Sequence, residues 1–210
     1  MCGIVGLYLK NDKYQSRLGE LFSPMMIAMT ERGPDSAGFA IYGDAVDSGI
    51  KFTLRHEDEN YDWEKLAKDI EEALVTKVDW FKNSKVAIFK VKTDADFVEN
   101  YLHENHPDVL IMSAGTSIEI LKEVGLPERI VNMFNLDKMQ GTHIIGHTRM
   151  ATESAVTMAG SHPFSTGMDL CLVHNGSLSN HNRMRQELKR NGIHFDTEND
   201  TEVAAGFTAR

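Results

Sequence analysis

The sequence predicts one packed domain in which helices and strands are mixed, and three observations support this. The chain has 210 residues, a length that suits a single core domain and lets most of the unfolded surface be buried. Hydrophobic residues at 41% and charged residues at 25% match an ordinary globular protein and disfavour disorder, collagen-like repetition and coiled coil. Short glycine-punctuated apolar runs alternate with amphipathic stretches of helical period, which is typical of strands and helices in one fold.

The net charge and the short length of the apolar runs disfavour several classes of binding partner. A net charge of −9, with no stripe of Lys and Arg, disfavours nucleic acid and anionic membranes as partners. No apolar run reaches 18 residues and no basic region opens the chain, so we expect neither a signal peptide nor a membrane anchor, and a cytoplasmic location. Two cysteines, Cys2 and Cys171, are too few for a disulfide scaffold.

The first 43 residues are predicted to fold as strand, helix, turn and strand. Residues 2–9 are apolar, β-branched and too short for a helix. An apolar stripe of helical period runs from Leu18 to Met29, and Pro24 behind Ser23 predicts that a helix restarts at residue 24. Residues 31–36 favour a turn, and residues 37–42 are predicted to form a second strand.

Residues 44–139 form what we interpret as an inserted α/β segment without a chemical motif. Its helices carry enough apolar surface to pack, so a disordered linker is not expected. The predicted strands are 51–55, 86–91 and 109–112, and the predicted helices are 62–74, 94–105, 117–124 and 127–134.

Glycine and other turn-forming residues become frequent again after residue 141. Residues 142–148 and 170–174 are predicted strands, and a helix capped by Ser179 is expected to end near Gly192. A polar loop at 197–201 precedes another helix, within which the chain stops. We therefore expect a domain, 1–210, that is truncated at its C-terminus.

Cys2 is a candidate nucleophile because removal of Met1 would leave it with a free α-amino group. The pKa of an α-amine is about 7.7 to 8.0, against about 10.4 for lysine, so a useful fraction is neutral near pH 7. The thiol and the neutral amine would then supply a nucleophile and its base on one residue. The alternative for an isolated cysteine is a small buried hydrophobe.

Acyl transfer also needs donors aimed at the developing oxyanion. Asn175 offers a side-chain amide and Gly176 an uncrowded backbone N–H, although Asn-Gly is most often only a turn. Arg149 could bind a substrate carboxylate and Asp200 a substrate ammonium, although each alone could be a surface charge or a helix cap.

Six ordered blocks give these residues a context: MCGIVG, ERGPDSAG, GHTRMAT, SHPF, VHNGSLSNH and TENDTEV. In this order they resemble the class II glutamine amidotransferases, a branch of the N-terminal-nucleophile (Ntn) hydrolases. They cover about residues 1–43 and 141–205, a little over half of the chain. The sequences of these blocks are most similar to those of the stand-alone amidotransferase subunits related to glutamate synthase and N-methylglutamate synthase.

The resemblance implies a role for each matching residue. Cys2 would be the nucleophile with its own α-amine as base, and Asn175 and Gly176 would form the oxyanion hole. Glutamine would be held by Arg149 at its α-carboxylate and by Asp200 at its α-ammonium. Three further residues would line or shape the pocket: Thr152, Arg32 and Gly33. Met150 and Glu153 depart from the pattern of the sugar-phosphate enzymes, in which tryptophan and histidine are usual at these positions.

The resemblance further implies an α+β fold, a four-layer αββα sandwich of two mainly antiparallel sheets decorated by segment 44–139. It implies glutamine hydrolysis to glutamate and delivery of ammonia to a synthase partner of the glutamate synthase type. The chain itself shows no cofactor motif; flavin and iron–sulfur groups would belong to that partner. Two alternatives stay open: a non-catalytic glutamine- or glutamate-binding regulatory or assembly module, and an amidotransferase domain of a sugar or nucleotide biosynthetic enzyme.

Other titratable residues are not assigned to the site. Four histidines could suggest a metal site, but no HxH pair and no cluster of cysteines accompanies them: His147, His162, His174 and His181. We therefore expect structural roles for them and no bound metal. Cys171 alternates with leucines and is interpreted as a buried, inert thiol.

Overall fold

Two antiparallel four-stranded sheets form the centre of the structure, a computed structural model that describes residues 2–150 and 156–209. The first sheet has the order β1-β8-β2-β7 and the second the order β4-β5-β3-β6. The strands are β1 (Gly3–Tyr8), β2 (Ser36–Tyr42), β3 (Ile50–Arg55), β4 (Val78–Asn83), β5 (Val86–Val91), β6 (Leu110–Gly115), β7 (Ile118–Val124) and β8 (His143–Arg149).

The described residues form six α-helices: α1 (Leu18–Ile27), α2 (Trp63–Leu74), α3 (Ala95–Asn105), α4 (Pro127–Met133), α5 (His181–Arg190) and α6 (Asp200–Thr208). The first four pack against the sheets, and α5 and α6 pack against each other. Helices α1 and α4 cover one face of the first sheet, where Phe22 and Ile130 meet Phe39 of β2 in one buried cluster. Helices α2 and α3 pack on the second sheet through Trp63 and Leu102. The predicted α+β fold of two antiparallel sheets with helices is confirmed.

The two sheets meet where β3 faces β7. Because side chains alternate along a strand, Phe52 and Leu54 point to α2 and α3 while Lys51 and Arg55 point the other way. Lys51 pairs with Glu119 at 2.9 Å and buried Arg55 with Glu123 at 3.0 Å. These ion pairs join the sheets through side chains that are otherwise costly to bury.

Segment 44–139 is part of this architecture. It supplies all four strands of the second sheet, and its β7 pairs with β2 along the whole length, from Ser36 opposite Val124 to Tyr42 opposite Ile118. The first sheet therefore includes one strand from the segment in which the sequence shows no chemical motif.

Three local predictions were wrong. Residues 117–124, predicted as a helix, form β7, because pairing with β2 and the two ion pairs outweighs their helix propensity. Helix α1 runs through Pro24 without restarting, and the Ser23 hydroxyl donates to Gly19 O instead of capping. Residues 170–174 form only an isolated bridge between Phe164 and Leu172.

Other boundaries match the sequence closely. Asp62 caps α2 by accepting from Lys65 N at 2.9 Å. The cap of α5 is Asn180 rather than Ser179, one residue later than predicted. Among residues 2–150 and 156–209, no helix is long and apolar enough to cross a membrane.

Candidate functional site

Cys2 lies at the N-terminal end of β1, beside the C-terminal end of β8. These antiparallel strands pair so that Gly3 is opposite Thr148. The half-buried Cys2 Sγ lies 4.0 Å from Met150 O, the residue that follows Arg149 at the end of β8. Strand register thus brings the candidate nucleophile and the candidate carboxylate-binding arginine to the same corner of the sheet.

The Arg32-Gly33 pair lies against this corner. A Cβ on Gly33 would sit 2.4 Å from Thr148 C and 2.5 Å from Arg149 N, so only glycine lets the turn approach the β8 backbone. On the other side, a Cβ on Gly3 would be 3.2 Å from Arg32 Cβ. These contacts place the pair beside the start of β1 and the end of β8, where the sequence predicts it.

Asn175 reaches the nucleophile-bearing residue directly. Its Nδ2 donates to Cys2 O at 3.1 Å. Gly176 follows, and a Cβ there would be 2.9 Å from His174 Nε2, so a larger residue would collide with that ring. Both predicted oxyanion donors therefore lie in a segment that is tied to Cys2.

Asp200 is the first residue of α6 and is linked to the Asn175 segment. Its Oδ2 accepts from Leu178 N at 2.6 Å. Its neighbour Asn199 caps α6 and donates through Nδ2 to Gly160 O at 3.3 Å. A Cβ on Gly160 would lie 3.2 Å from Arg149 Nη1, so Gly160 contacts both the arginine and the start of α6.

Next to these segments is a polar cluster of four residues, the His–Thr cluster, of which three are buried and His174 is partly buried. It contains His147, His162, His174 and Thr201. The rings of His147 and His162 stack at 4.2 Å, and Nε2 of His162 lies 2.8 Å from Thr201 Oγ1. Burial lowers the pKa of His162 to about 2 and that of His147 to about 4, so both rings are neutral near pH 7. Within the described residues, no cluster of His, Cys, Asp and Glu is suited to hold a metal.

The segment that carries His162 crosses β2 at Gly38. A Cβ on Gly38 would lie 2.2 Å from His162 O and 2.4 Å from Lys122 Cβ. Lys122, on the neighbouring β7, donates through Nζ to Ser161 O at 2.7 Å and to Pro163 O at 3.1 Å, and so holds the backbone on both sides of His162. Burial lowers the pKa of this ammonium to about 7, against the opposing effect of Glu202.

Comparisons with known proteins identify the family of this chain. A glutamine amidotransferase domain family matches residues 135–209. The glutamine amidotransferase-like protein GlxB of Rhizobium meliloti is 53% identical over 207 residues, which cover 99% of this chain and 69% of that protein. The chain belongs to the class II glutamine amidotransferases.

Further relatives of this amidotransferase differ in their sequence identity to it and in the fraction of the chain that they match. A putative glutamine amidotransferase of Methanothermobacter thermautotrophicus is 32% identical over 233 residues, which cover the whole chain and 72% of that protein. A glutamine–fructose-6-phosphate aminotransferase of Zymomonas mobilis is 46% identical over 69 residues, 33% of this chain and 11% of its own. A solved structure of the allosteric regulatory enzyme of purine biosynthesis aligns with a TM-score of 0.46 at 18% identity, over 96% of this chain and 28% of that one.

Most of the predicted site residues of this amidotransferase lie near one another. The structure brings Cys2, Asn175 and the ends of β1 and β8 together. Asp200 is connected to the same region through its own bond from Leu178 N and through the bond from its neighbour Asn199 to Gly160 O. Thr152, predicted to line the pocket, lies outside the described residues, as do Met1 and Glu153.

The remaining thiol and histidine have local partners. Cys171 is half-buried, 3.4 Å from the Tyr42 hydroxyl, and burial raises the pKa of its thiol. His181 begins α5 and contacts Leu178 O through Nδ1 at 3.0 Å. Cys171 is therefore only partly buried, whereas the sequence predicts a buried thiol.

Sequence reasoning missed Lys122 and Thr201. Lys122 lies in the segment without motifs, where a single lysine between apolar residues gives no signal. Thr201 stands within the TENDTEV block, directly after Asp200, and its position in that block was a usable signal.

Proposed function

We propose that this chain hydrolyses glutamine through a Cys2 thioester and delivers the ammonia to a synthase partner of the glutamate synthase type. The observation that carries the proposal is the 3.1 Å hydrogen bond from Asn175 Nδ2 to Cys2 O. This bond supports the proposal because a side-chain amide donor then lies at the residue proposed as nucleophile, at the corner where β8 ends with Arg149.

The chemical step follows from these groups. With Met1 removed, the Cys2 α-amine takes the thiol proton, and the sulfur forms a bond to the glutamine side-chain carbonyl carbon. The carbonyl oxygen becomes an oxyanion that accepts hydrogen bonds from Asn175 Nδ2 and Gly176 N. The C–N bond then breaks, ammonia leaves with the proton from the amine, and water hydrolyses the thioester to glutamate and free thiol.

Substrate selection rests on two charges of opposite sign. Arg149 would pair with the α-carboxylate of glutamine in a two-point hydrogen-bonded contact. Asp200 would accept from the α-ammonium, and Thr152 would complete the pocket wall. A ligand that carries only one of these two groups should therefore bind more weakly.

A partner is expected because of the pKa of ammonia. Free ammonia in neutral water becomes ammonium, which is not a nucleophile, so its useful delivery requires a protected route. The partner would bring the acceptor site, with any flavin or iron–sulfur group. A second candidate is an amidotransferase domain of a sugar biosynthetic enzyme, because a glutamine–fructose-6-phosphate aminotransferase is 34% identical over 97 residues, which cover 46% of this chain.

Covalent labelling tests the proposal without the partner. A glutamine-like diazoketone, 6-diazo-5-oxo-L-norleucine, should alkylate Cys2: sulfur bonds to the diazomethyl carbon, that carbon gains a proton, and N2 leaves. Intact mass should show loss of Met1 and one adduct in the wild-type chain and in Cys171→Ala, and no adduct in Cys2→Ala. Retention of Met1 with no adduct would instead favour a non-catalytic glutamine-binding module.

A further inference from the structure

The hydroxyl of Thr201 is the point at which the His–Thr cluster meets the predicted glutamine site. Thr201 is buried, and its Oγ1 lies 2.8 Å from His162 Nε2, 3.4 Å from His174 Nδ1 and 3.4 Å from Asp200 Oδ1. His174 precedes Asn175 in the chain. One oxygen atom therefore contacts the two segments that carry the predicted oxyanion donor and the predicted ammonium-binding carboxylate.

The direction of these hydrogen bonds follows from the histidine tautomers. Nδ1 of His162 and Nδ1 of His147 are buried and have no hydrogen-bond partner among residues 2–150 and 156–209. A buried N–H without an acceptor is rare in proteins, so each neutral ring carries its proton on Nε2. His147 Nε2 then donates to His174 O at 3.2 Å, and His162 Nε2 donates to Thr201 Oγ1.

This assignment leaves the Thr201 proton available for the site. Because the hydroxyl already accepts from His162, its own proton points to Asp200 Oδ1 or His174 Nδ1. The hydroxyl is not needed to start α6, since Asn199 caps the helix by accepting from Thr201 N at 2.8 Å. The buried hydroxyl is therefore oriented by a neutral imidazole rather than by the helix.

Lys122 supports the same arrangement from the opposite side. Its Nζ holds the carbonyl groups of Ser161 and Pro163, which flank His162. Gly38 leaves room for this backbone to lie on β2. The imidazole that donates to Thr201 is thus fixed by both its backbone and its stacking on His147.

We propose that Thr201 is a positioning residue which holds the Asp200 carboxylate in register with Asn175, so that the α-ammonium of glutamine is bound while its side-chain amide meets the oxyanion hole. The inference rests on the proposed function and adds a residue to it. Thr201 acts through Asp200, and its effect should appear in recognition of the α-amine rather than in the reactivity of the thiol.

The test compares Thr201→Val, which keeps the shape and removes the hydroxyl, with Thr201→Ser, which keeps the hydroxyl. The rate of Cys2 alkylation by 6-diazo-5-oxo-L-norleucine is measured against reagent concentration, which separates binding from the chemical step. Loss of one hydrogen bond to a charged group should raise the half-saturating concentration about tenfold in Thr201→Val, with little change in the limiting rate. Thr201→Ser should stay within about twofold of the wild type because its hydroxyl can make the same bonds.

Iodoacetamide supplies the matched control, since it carries neither an α-amine nor a carboxylate. Its rate of reaction with Cys2 should be the same in both variants and the wild type. A parallel loss with both reagents would show a general disturbance of the fold and overturn the positioning role. An unchanged half-saturating concentration in Thr201→Val would overturn it as well.

A double-mutant cycle with Asp200→Asn shows whether Thr201 acts through Asp200. In that background, Thr201→Val should add little to the loss, because the two residues work on one contact. Full additivity would overturn the inference. Absence of Cys2 labelling in the wild-type chain would refute the proposed function itself, and the inference with it, whereas normal wild-type labelling with an unaffected Thr201→Val refutes the inference alone.

Discussion

The side-chain amide of Asn175 donates to the carbonyl oxygen of Cys2 across 3.1 Å, although the two residues are 173 positions apart in the chain. The contact depends on the first sheet, which places the start of β1 next to β8, and on the segment that follows Phe164. We therefore expect this amide to lie near the oxyanion that forms on the substrate carbonyl oxygen when Cys2 Sγ bonds to the carbonyl carbon.

Replacement of Asn175 by Ala should lower the turnover of glutamine by roughly a hundredfold or more, which is the usual effect of removing one oxyanion donor. The half-saturating glutamine concentration should change much less, because the donor acts mainly on the tetrahedral state. Steady-state glutamate release by the chain with its partner measures both quantities. Asn191→Ala, at the exposed end of α5, is the control and should retain wild-type rates; near-normal turnover in Asn175→Ala would refute the assignment.

Replacement of Gly33 by Ala should destabilise the fold and impair glutamine binding. The new Cβ would lie 2.4 to 2.6 Å from backbone atoms of Thr148 and Arg149, which cannot move without disturbing β8. We expect a loss of about 1 to 3 kcal/mol in the free energy of unfolding, typical of overpacking. Gly6→Ala is the control in urea titrations, since its Cβ would be 3.7 Å from Ile144 O, an ordinary contact. Equal stability of the two variants would contradict the prediction.

The Lys122 ammonium should make stability depend on pH. Burial lowers its pKa from 10.5 to about 7, opposed by Glu202 and Asp196 and reinforced by Arg55. Between these two values the unfolded chain binds a proton that the folded chain does not. The free energy of unfolding should therefore rise with pH above 7, by at most about 1.4 kcal/mol per pH unit, and be independent of this group below pH 7.

Lys122→Met keeps most of the volume and removes the titrating group. The difference between the wild-type and Lys122→Met free energies of unfolding should increase in favour of the wild type from pH 7 to pH 9. Taking this difference cancels the titration of groups shared by both proteins, such as Cys171. Lys138→Met, at an exposed position, should show a constant difference; a constant difference for Lys122→Met would show that the ammonium stays protonated in the folded chain.

Asp169 should contribute stability that disappears in acid. Burial alone would raise its pKa, but hydrogen bonds from the backbone N–H of Thr116 and Ser117, among others, lower it from 3.8 to about 2. Its contribution is present above pH 4 and is lost as the pH falls through 2. These bonds tie the β6–β7 turn to the segment that leads to Asn175.

Asp169→Asn isolates this charge, because asparagine tolerates the positive φ of 51° found at this position. The variant should be less stable at pH 7 by about 1 to 2 kcal/mol, since an amide NH2 cannot accept from the turn. Chemical unfolding from pH 7 to pH 2 should show the difference shrinking below pH 4. Asp137→Asn, which is exposed, should match the wild type throughout; a difference for Asp169→Asn that is as large at pH 2 as at pH 7 would exclude the carboxylate as its cause.

The sequence predicted the elements whose signals are local. Asp62 at the start of α2 and Pro127 at the start of α4 are signals of this kind, and both helices begin where they indicate. The corner formed by Cys2, Arg32 and Gly33 could be predicted from the ordered blocks, because the resemblance specifies which distant residues meet.

Features decided by tertiary contacts could not be predicted. Strand β7 carries leucine, lysine and glutamate in a pattern that suits a helix, and only its pairing with β2 and the ion pair from Arg55 to Glu123 make it a strand. The role of Lys122 depends on the same pairing, since the lysine reaches Ser161 O only when β7 lies beside β2. No pattern within residues 117–124 contains that information.

The two hydrogen bonds by which Lys122 holds the backbone around His162 have a consequence for protein engineering. A chimera that exchanges the central portion of the chain for that of a distant homologue would also exchange β7, and with it the Lys122 side chain that donates to the carbonyl groups of Ser161 and Pro163. Successful grafts should therefore need to bring along, or rebuild, a cationic side chain at position 122.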